Sequence, residues 1–476
     1  VSTTLRSTTL APESPSRLRR LTAPRTRVIT GWDPEDTSAW QAGNKRIARR
    51  NLVWSVATEH VGFSIWSIWS VMVLFMPQAV YGFTAADKFV LVAVPTLVGA
   101  VLRVPYTMAT AYFGGRNWAI VSGVALLVPT GLTWWLMANP GHSLGTFMAV
   151  AALAGLGGGN FASSMTNINA FYPQRMKGWA LGLNAGGGNI GVPAVQVVGL
   201  LVIATLGNRR PEIVCAVYLV LLAVASVGAA VFMDNLDHQT ANPRSMLEVL
   251  RHQDAWVISL LYIGTFGSFI GFGFAFGQVL NQTFLAGIAE GVPTAAQSSA
   301  ASLSAAQIAF AGPLLGSVSR VWGGRLADRR GGSSVTFWTF VGMVVAGVVV
   351  TLSAAADDAT PGSATGAQLA GLIGGFVLLF VLSGIGNGSV YKMIPVLFEA
   401  KSRSRVGPAI EQATWSRSMS GALIGIAGAV GALGGVLINV ALRASYQGPA
   451  HSATAAFVAF TLFYVVAAVV TKVRYR

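Results

Sequence analysis

Acidic side chains are few in this 476-residue sequence, 17 against 32 lysines and arginines, and they all but vanish from its long apolar stretches. Glu59 alone lies well inside one; Asp87, Asp254, Glu399 and Glu411 fall at or near ends. Cysteine is scarcer still. The lone Cys215 excludes a disulfide framework and any multi-cysteine metal site, and five scattered histidines show no ligand spacing. No metal or cofactor is expected. Neither a nucleophile/base pair nor a phosphate-binding loop appears, so the sequence does not read as an enzyme. Charged residues make up only 10%, where a soluble domain carries about 25%.

What replaces charge is apolar surface: 53% of residues are hydrophobic and the mean hydropathy is +0.60. About twelve apolar runs are each long enough, as helices, to cross about 30 Å of hydrocarbon. The expected fold is therefore an all-α membrane protein of 12 transmembrane helices. The first 50 residues carry ten basic side chains and no apolar core, so they do not read as a cleavable signal peptide. Cytoplasmic loops retain lysine and arginine. Placing the tail inside and alternating the loops puts 24 of the 32 basic residues on the cytoplasmic side and four outside, Lys88, Arg209, Arg210 and Arg443. Both termini are thus expected in the cytoplasm. The net charge of +15 reflects this bias and attraction to anionic lipid; nucleic acid is not an expected partner.

The longest polar segment between spans, Asp234 to Asp254, divides the helices six and six. The expected organisation is a basic tail (1–50), a six-helix half (51–233), a linker (234–254), a second six-helix half (255–472) and a short end (473–476). The halves repeat each other. Arg103-Val104, nine residues and Gly114-Gly115 recur as Arg320-Val321, nine residues and Gly331-Gly332. Gly155, Gly157 and Gly159 recur as Gly384, Gly386 and Gly388; Gly178, Gly182, Gly188 and Gly191 recur as Gly421, Gly425, Gly431 and Gly434. A duplicated six-helix unit leaves such a record.

The two arginines are the sharpest signal. A guanidinium does not shed its proton, and holding it at bilayer depth costs from about 2.5 kcal/mol upward. The interior offers almost no carboxylate to pair with, so the cations attract an anion, and the planar fork suits a trigonal oxyanion. Aromatic residues are the second element: Phe63 with Trp66, Phe161, and Tyr262 with Phe266 four residues on. Such rings pack cores more often than they bind ligands, but here they would sandwich a flat anion while the Tyr262 hydroxyl donates to it. Asn160 and Asn189 add amide donors. The glycines of the Gly178 and Gly421 series are expected to pack helices closely and to let them slide during gating. Lys392 and Arg417 read as structural, paired with Glu411 or Glu59 or snorkelling to the interface.

Together these residues resemble the nitrate/nitrite porter family of the major facilitator superfamily, the NarK type. The resemblance runs from about Val28. It rests on Trp32-x-Pro34-Glu35-Asp36-x3-Trp40, Leu102-Arg103-Val104-Pro105-Tyr106, Asn160-Phe161-Ala162-Ser163-Ser164-Met165, the Gly178 to Gly191 run and Leu260-Leu261-Tyr262-x3-Phe266-Gly267. Gly324 to Gly331 matches the loop signature of the superfamily. The resemblance implies that Arg103 and Arg320 bind the anion among Phe63, Phe161, Tyr262 and Phe266. It implies a bacterial inner-membrane carrier of nitrate and nitrite, with a monomeric functional unit and lipid as its surroundings. The Asn160 to Met165 string is closer to the nitrate/nitrite exchangers than to the proton-coupled importers. With no central carboxylate or histidine recognised, exchange is expected: two facing cations oppose closure until one anion is bound. A proton-coupled nitrate symporter and a non-transporting nitrate sensor are the alternatives.

Overall fold

The computed structural model describes residues 27–207, 210–237, 243–288, 293–360 and 362–476. The first 26 residues of the tail, Arg209, and His238 to Asn242 of the linker lie outside the described residues.

Among the described residues eleven helices are long and apolar enough to cross a membrane: α2 (Ala85–Phe113), α3 (Gly115–Ala138), α4 (Leu144–Phe171), α5 (Gln174–Leu206), α6 (Glu212–Phe232), α7 (Gln253–Ala286), α8 (Ala295–Arg330), α9 (Gly332–Asp358), α10 (Gly366–Ser402), α11 (Ala409–Gln447) and α12 (Thr454–Tyr475). A twelfth, α1 (45–75), precedes them. It is interrupted at Ser67 and ends in a tight 3₁₀ turn, and its first half carries Lys45, Arg46, Arg49, Arg50 and Glu59, which lower its apolarity. An even number of spans leaves the start of α1 and the end of α12 on one face, called here the terminal face.

Glycine fixes how the helices pair, and it does so twice. A Cβ on Gly188 or Gly191 of α5 would fall 2.1 Å from Glu59 Oε1 or 2.2 Å from the His60 carbonyl oxygen of α1. In the second half a Cβ on Gly431 of α11 would fall 2.4 Å from the Tyr262 ring, and one on Gly434 would fall 2.8 Å from Gly267, both on α7. The other repeat joins α4 to α2, through Gly158 against Gly99 and Gly159 against Tyr106. Its copy joins α10 to α8, through Gly384 against Gly316 and Gly388 against the Arg320 carbonyl. Backbones at these crossings touch, which only a missing side chain allows.

The remaining glycines of the series behave differently. A Cβ on Gly178, Gly182 or Gly421 would meet nothing within 4 Å, and one on Gly425 would reach only Met246 at 4.0 Å. Close packing, expected from sequence for all eight, is therefore made at four in this conformation. The helical register gives the reason. Gly182 lies four turns before Gln196, whose amide donates to the Gly273 carbonyl oxygen of the other half at 2.7 Å. Gly421 shares a face of α11 with Gly428 and Gly435, which meet Arg103 and Thr96 of α2. Both stripes face the opposite half, and there the halves have parted.

Contact between halves gathers away from the terminal face. Phe89 stacks on Tyr446 with centroids 5.3 Å apart, Trp66 meets Phe274 edge-on at 5.2 Å, and Ser302 donates to the Leu74 carbonyl oxygen at 2.6 Å. Deeper in the molecule Arg103 donates to the Gly428 carbonyl oxygen. The molecule is closed on the far face and parted towards the terminal face.

Two sequence expectations need correction. Lys88, counted in a loop, lies buried in the first turns of α2. The Gly324 to Gly331 segment is helical up to Arg330, because Arg325, Leu326, Ala327, Arg329 and Arg330 are good helix formers, and only Gly331 turns away, at φ +84°. Gly114 does the same for α2 at φ +82°. The described part of the tail packs on the bundle: Val28–Ile29 pair in parallel with Asn235–Leu236, Trp32 packs edge-on against Phe171, and Arg50 forms an ion pair with Asp234.

This packing predicts opposite outcomes at equivalent-looking glycines. Gly431→Ala forces its methyl into a Tyr262 ring held between two other rings, and should destabilise the protein by about 1–3 kcal/mol. Gly421→Ala gains helix propensity without a clash and should match or exceed the wild type by up to about 1 kcal/mol. Thermal unfolding in detergent compares the two.

Candidate functional site

Arg103 stands in mid-helix on α2 and Arg320 in mid-helix on α8, and the fold brings them to the seam between halves. Both are buried, at 1% and 9% exposure. Among the described residues neither makes an ion pair. Arg103 donates through Nη1 to the Gly428 carbonyl oxygen at 3.0 Å, and Arg320 donates through Nη2 to the Tyr262 hydroxyl at 3.3 Å. Nε and Nη2 of Arg103 and Nη1 of Arg320 are buried with no protein acceptor. A buried donor left without a partner costs about 1–3 kcal/mol, and more when charged. Three such donors on two cations make a site that gains from an anion with several acceptor oxygens.

Rings line the space. Phe266 lies between the guanidiniums, 4.9 Å from that of Arg103 and 6.0 Å from that of Arg320. Phe161 covers Arg103 at 4.7 Å and Trp66 approaches it at 5.4 Å. Cation–π attraction of this kind offsets part of the desolvation of a buried guanidinium. Tyr262 and Phe266 stack at 5.1 Å and 8°. A π-helical turn at Ile263–Gly267 carries Phe266 and begins directly after Tyr262, a local widening of the sort that clusters at functional sites.

The other expected residues divide. Phe63 is fully buried behind Phe161, at 5.9 Å, and stacks edge-on with Trp66; it supports the ring that covers Arg103. Asn160 packs against Gly62 and lines a small polar cavity with residues of α1 and α3. Asn189 is buried with both amide atoms unpartnered, on the α5 face that continues to Gln196. Neither asparagine is hydrogen-bonded to a guanidinium. Lys392 forms an ion pair with Asp328 at 2.5 Å, not with Glu411 or Glu59, tying α10 to the end of α8. Arg417 is exposed and donates to the Ala413 carbonyl oxygen.

Two participants escaped the sequence reading. Tyr391 of α10 stacks on Tyr262 at 4.4 Å and lies 5.4 Å from the Arg320 guanidinium. A signal for it existed: the glycine repeat of α4 and α10 maps Phe161 onto Val390, one residue away. The Gly428 carbonyl left no signal, since backbone acceptors carry no residue code. Glu59 is the third revision. It is fully buried and close enough to act electrostatically on both arginines, so a carboxylate does stand near the centre.

A family model described as the Major Facilitator Superfamily matches residues 54–438. The chain is 34% identical to the nitrate/nitrite transporter NarU of Salmonella typhimurium, over 94% of this chain and 96% of that protein. It is 29% identical to the probable nitrate/nitrite antiporter NarK2 of Thermus thermophilus, over 92% of this chain and 94% of that one. Among solved structures it resembles a bacterial homologue of the lysosomal transporter Spinster in an inward-facing, occupied conformation (TM-score 0.59, 15% identity, 89% of this chain and 95% of that one). It also resembles the nucleoside transporter NupG (TM-score 0.57, 12% identity, 90% and 100%). These two likenesses speak for the fold alone.

Proposed function

Because this chain belongs to the major facilitator superfamily, and within it to the nitrate/nitrite porters, we propose that it carries nitrate and nitrite across the bacterial inner membrane, one in exchange for the other. The observation that carries the reading is the pair of buried guanidiniums, one from each half, with unpartnered donors around Phe266. A trigonal oxyanion offers each fork two acceptors and a flat face to the rings. Tyr262 and Tyr391 lend hydroxyl groups on the Arg320 side; Phe161, Phe63 and Trp66 narrow the slot on the Arg103 side. Asn189 extends the polar lining along α5.

Transport follows from where the arginines stand. The six-helix halves, 51–233 and 255–472, rock about the site, with both termini in the cytoplasm, so the parted face is the cytoplasmic one. The open glycine stripes at Gly182 and Gly421 are the surfaces that come together when that face closes. Closure brings two like charges into a dry site, which is unfavourable when the site is empty; a bound anion removes most of that penalty. The loaded carrier therefore crosses and the empty one resists, which is exchange. A sensor needs none of this asymmetry between empty and loaded states.

Arg103→Lys and Arg320→Lys keep the charge but lose the planar fork, and each should lower nitrate uptake into proteoliposomes at least about tenfold with the protein still folded. Near-normal uptake by either variant defeats the clamp. Exchange itself is tested by counterflow: nitrite inside the vesicles should accelerate nitrate entry strongly. Entry that is indifferent to internal anion replaces exchange with another mode of coupling.

A further inference from the structure

Glu59 is the one acidic side chain deep within the first half, and nothing in an anion clamp calls for it. It sits on α1 one turn before Phe63, at 0% exposure. Its Oε2 accepts from Ser164 Oγ at 2.5 Å and from Asn184 Nδ2 at 2.6 Å, while Oε1 has no hydrogen-bond partner. Gly188 gives the carboxyl its room, since a Cβ there would lie 2.1 Å from Oε1. A glycine of the α5 run thus makes a chamber for a carboxyl group. An ionised carboxylate with one oxygen bare in a dry interior is poorly compensated, and a proton relieves it.

The charged and titratable groups around it are few. On its own helix His60 follows, with Nδ1 on the Gly187 carbonyl oxygen at 3.1 Å. From α2 and α8 come Arg103 and Arg320, which act on Glu59 electrostatically. The helices packed most closely on it, α4 and α5, present Ser164, Asn184 and Gly188, none of which titrates. Burial and the Ser164 hydrogen bond act most strongly on Glu59, and the charges that act on it are the same two guanidiniums that face the anion.

A short hydroxyl relay leads to the carboxyl group. Ser55 and Ser164 hydroxyls lie 3.0 Å apart. A hydroxyl donates only once, so with Ser164 donating to Glu59, Ser55 must donate to Ser164. Both serines line a cavity of about 10 Å³, enough for one water, with Thr58, Asn160, Ser163 and Asn167 around it and Gly115 and Met233 towards the terminal face. Reversing the hydroxyls along this chain carries a proton to the carboxylate.

We infer that Glu59 is a proton-binding site linked to the anion site, so that each bound anion is accompanied by uptake of a proton; this rests on the anion reading above. With Glu59 ionised, the empty site holds two positive charges and one negative. An arriving anion takes over the guanidiniums' field and adds its own repulsion, so the carboxylate accepts H⁺ and becomes a neutral acid. Linkage is reciprocal: by whatever factor the anion strengthens proton binding, the proton strengthens anion binding.

The sign is fixed by this scheme. Glu59 holds its proton more tightly with anion bound, so nitrate affinity is highest at low pH and falls as pH rises through the window between the empty and loaded titrations, by up to about tenfold per pH unit. It is flat on either side. The test is nitrate affinity of the purified full chain from pH 5.5 to 9, for the wild type, Glu59→Gln and His60→Gln. A pH-indicator dye in weak buffer reports proton uptake by the wild type when nitrate is added. Expected are falling affinity with pH and proton uptake in the wild type, the same trend in His60→Gln, and a pH-independent affinity in Glu59→Gln. A flat wild-type profile without proton uptake overturns the inference, as does a pH trend that survives in Glu59→Gln or is lost in His60→Gln. Should Glu59→Gln fail to fold, proton uptake by the wild type and the His60→Gln profile decide. Absence of nitrate binding at every pH overturns the anion reading and this inference with it; binding with no pH dependence overturns this inference alone.

Discussion

Two guanidiniums held at the seam of the molecule, with no carboxylate among the described residues bonded to either, set the terms for everything around them. A buried cation keeps its place only if hydrogen bonds, ring faces or an opposite charge replace the water it lost. The protein supplies the first two in part. Gly428 gives Arg103 one carbonyl, Tyr262 gives Arg320 one hydroxyl, and Phe161, Phe266 and Tyr391 give ring faces. Three donors remain over. That remainder, gathered on two buried cations around one ring, is what an oxyanion would satisfy.

The fold serves this constraint by symmetry. One arginine on α2 and its copy on α8 can meet only if the helices bearing them pack tightly within their own halves and loosely across the seam. The repeated glycines do the first, clamping α4 to α2, α5 to α1, α10 to α8 and α11 to α7 through backbone contact. The second is visible in the stripes that end in Gly182 and Gly421, which have no neighbour towards the terminal face. The same residue type is thus a rigid joint at one end of a helix and a sliding surface at the other. Placement alone decides which.

That distinction also marks how far the sequence could be read. Charge at membrane depth and a repeating absence of side chains are local properties, so the membrane-spanning helices, the two buried arginines and the rings beside them were legible. Contacts between residues far apart in the chain were not. The Lys392–Asp328 pair, the Gly428 acceptor 325 residues from Arg103, and the stacking of Tyr391 on Tyr262 depend on how α8, α10 and α11 lie against one another. Trp32 and Asp36 were noticed only as part of a family string. Their physical role, a tail folded back on α4 with Asp36 capping a short helical turn, needed the structure. Hydrogen bonds from Ser38 and Ala39 hold the Asp36 carboxyl below the usual carboxylate range, so the cap persists across neutral pH.

Glu59 shows why the balance of charge, not the count of arginines, governs the centre. Read from sequence, the interior held two cations and, with Glu59 the one acidic residue well inside a span, almost nothing to answer them, and exchange was expected from their repulsion. In the folded protein a carboxyl group lies within their field, seated over Gly188 and bonded to Ser164 and Asn184. Ionised, it softens the repulsion that holds the empty carrier open; protonated, it restores that repulsion until an anion arrives. The barrier that enforces exchange is then itself set by a proton, and exchange and proton coupling become two regimes of one electrostatic arrangement instead of rival mechanisms.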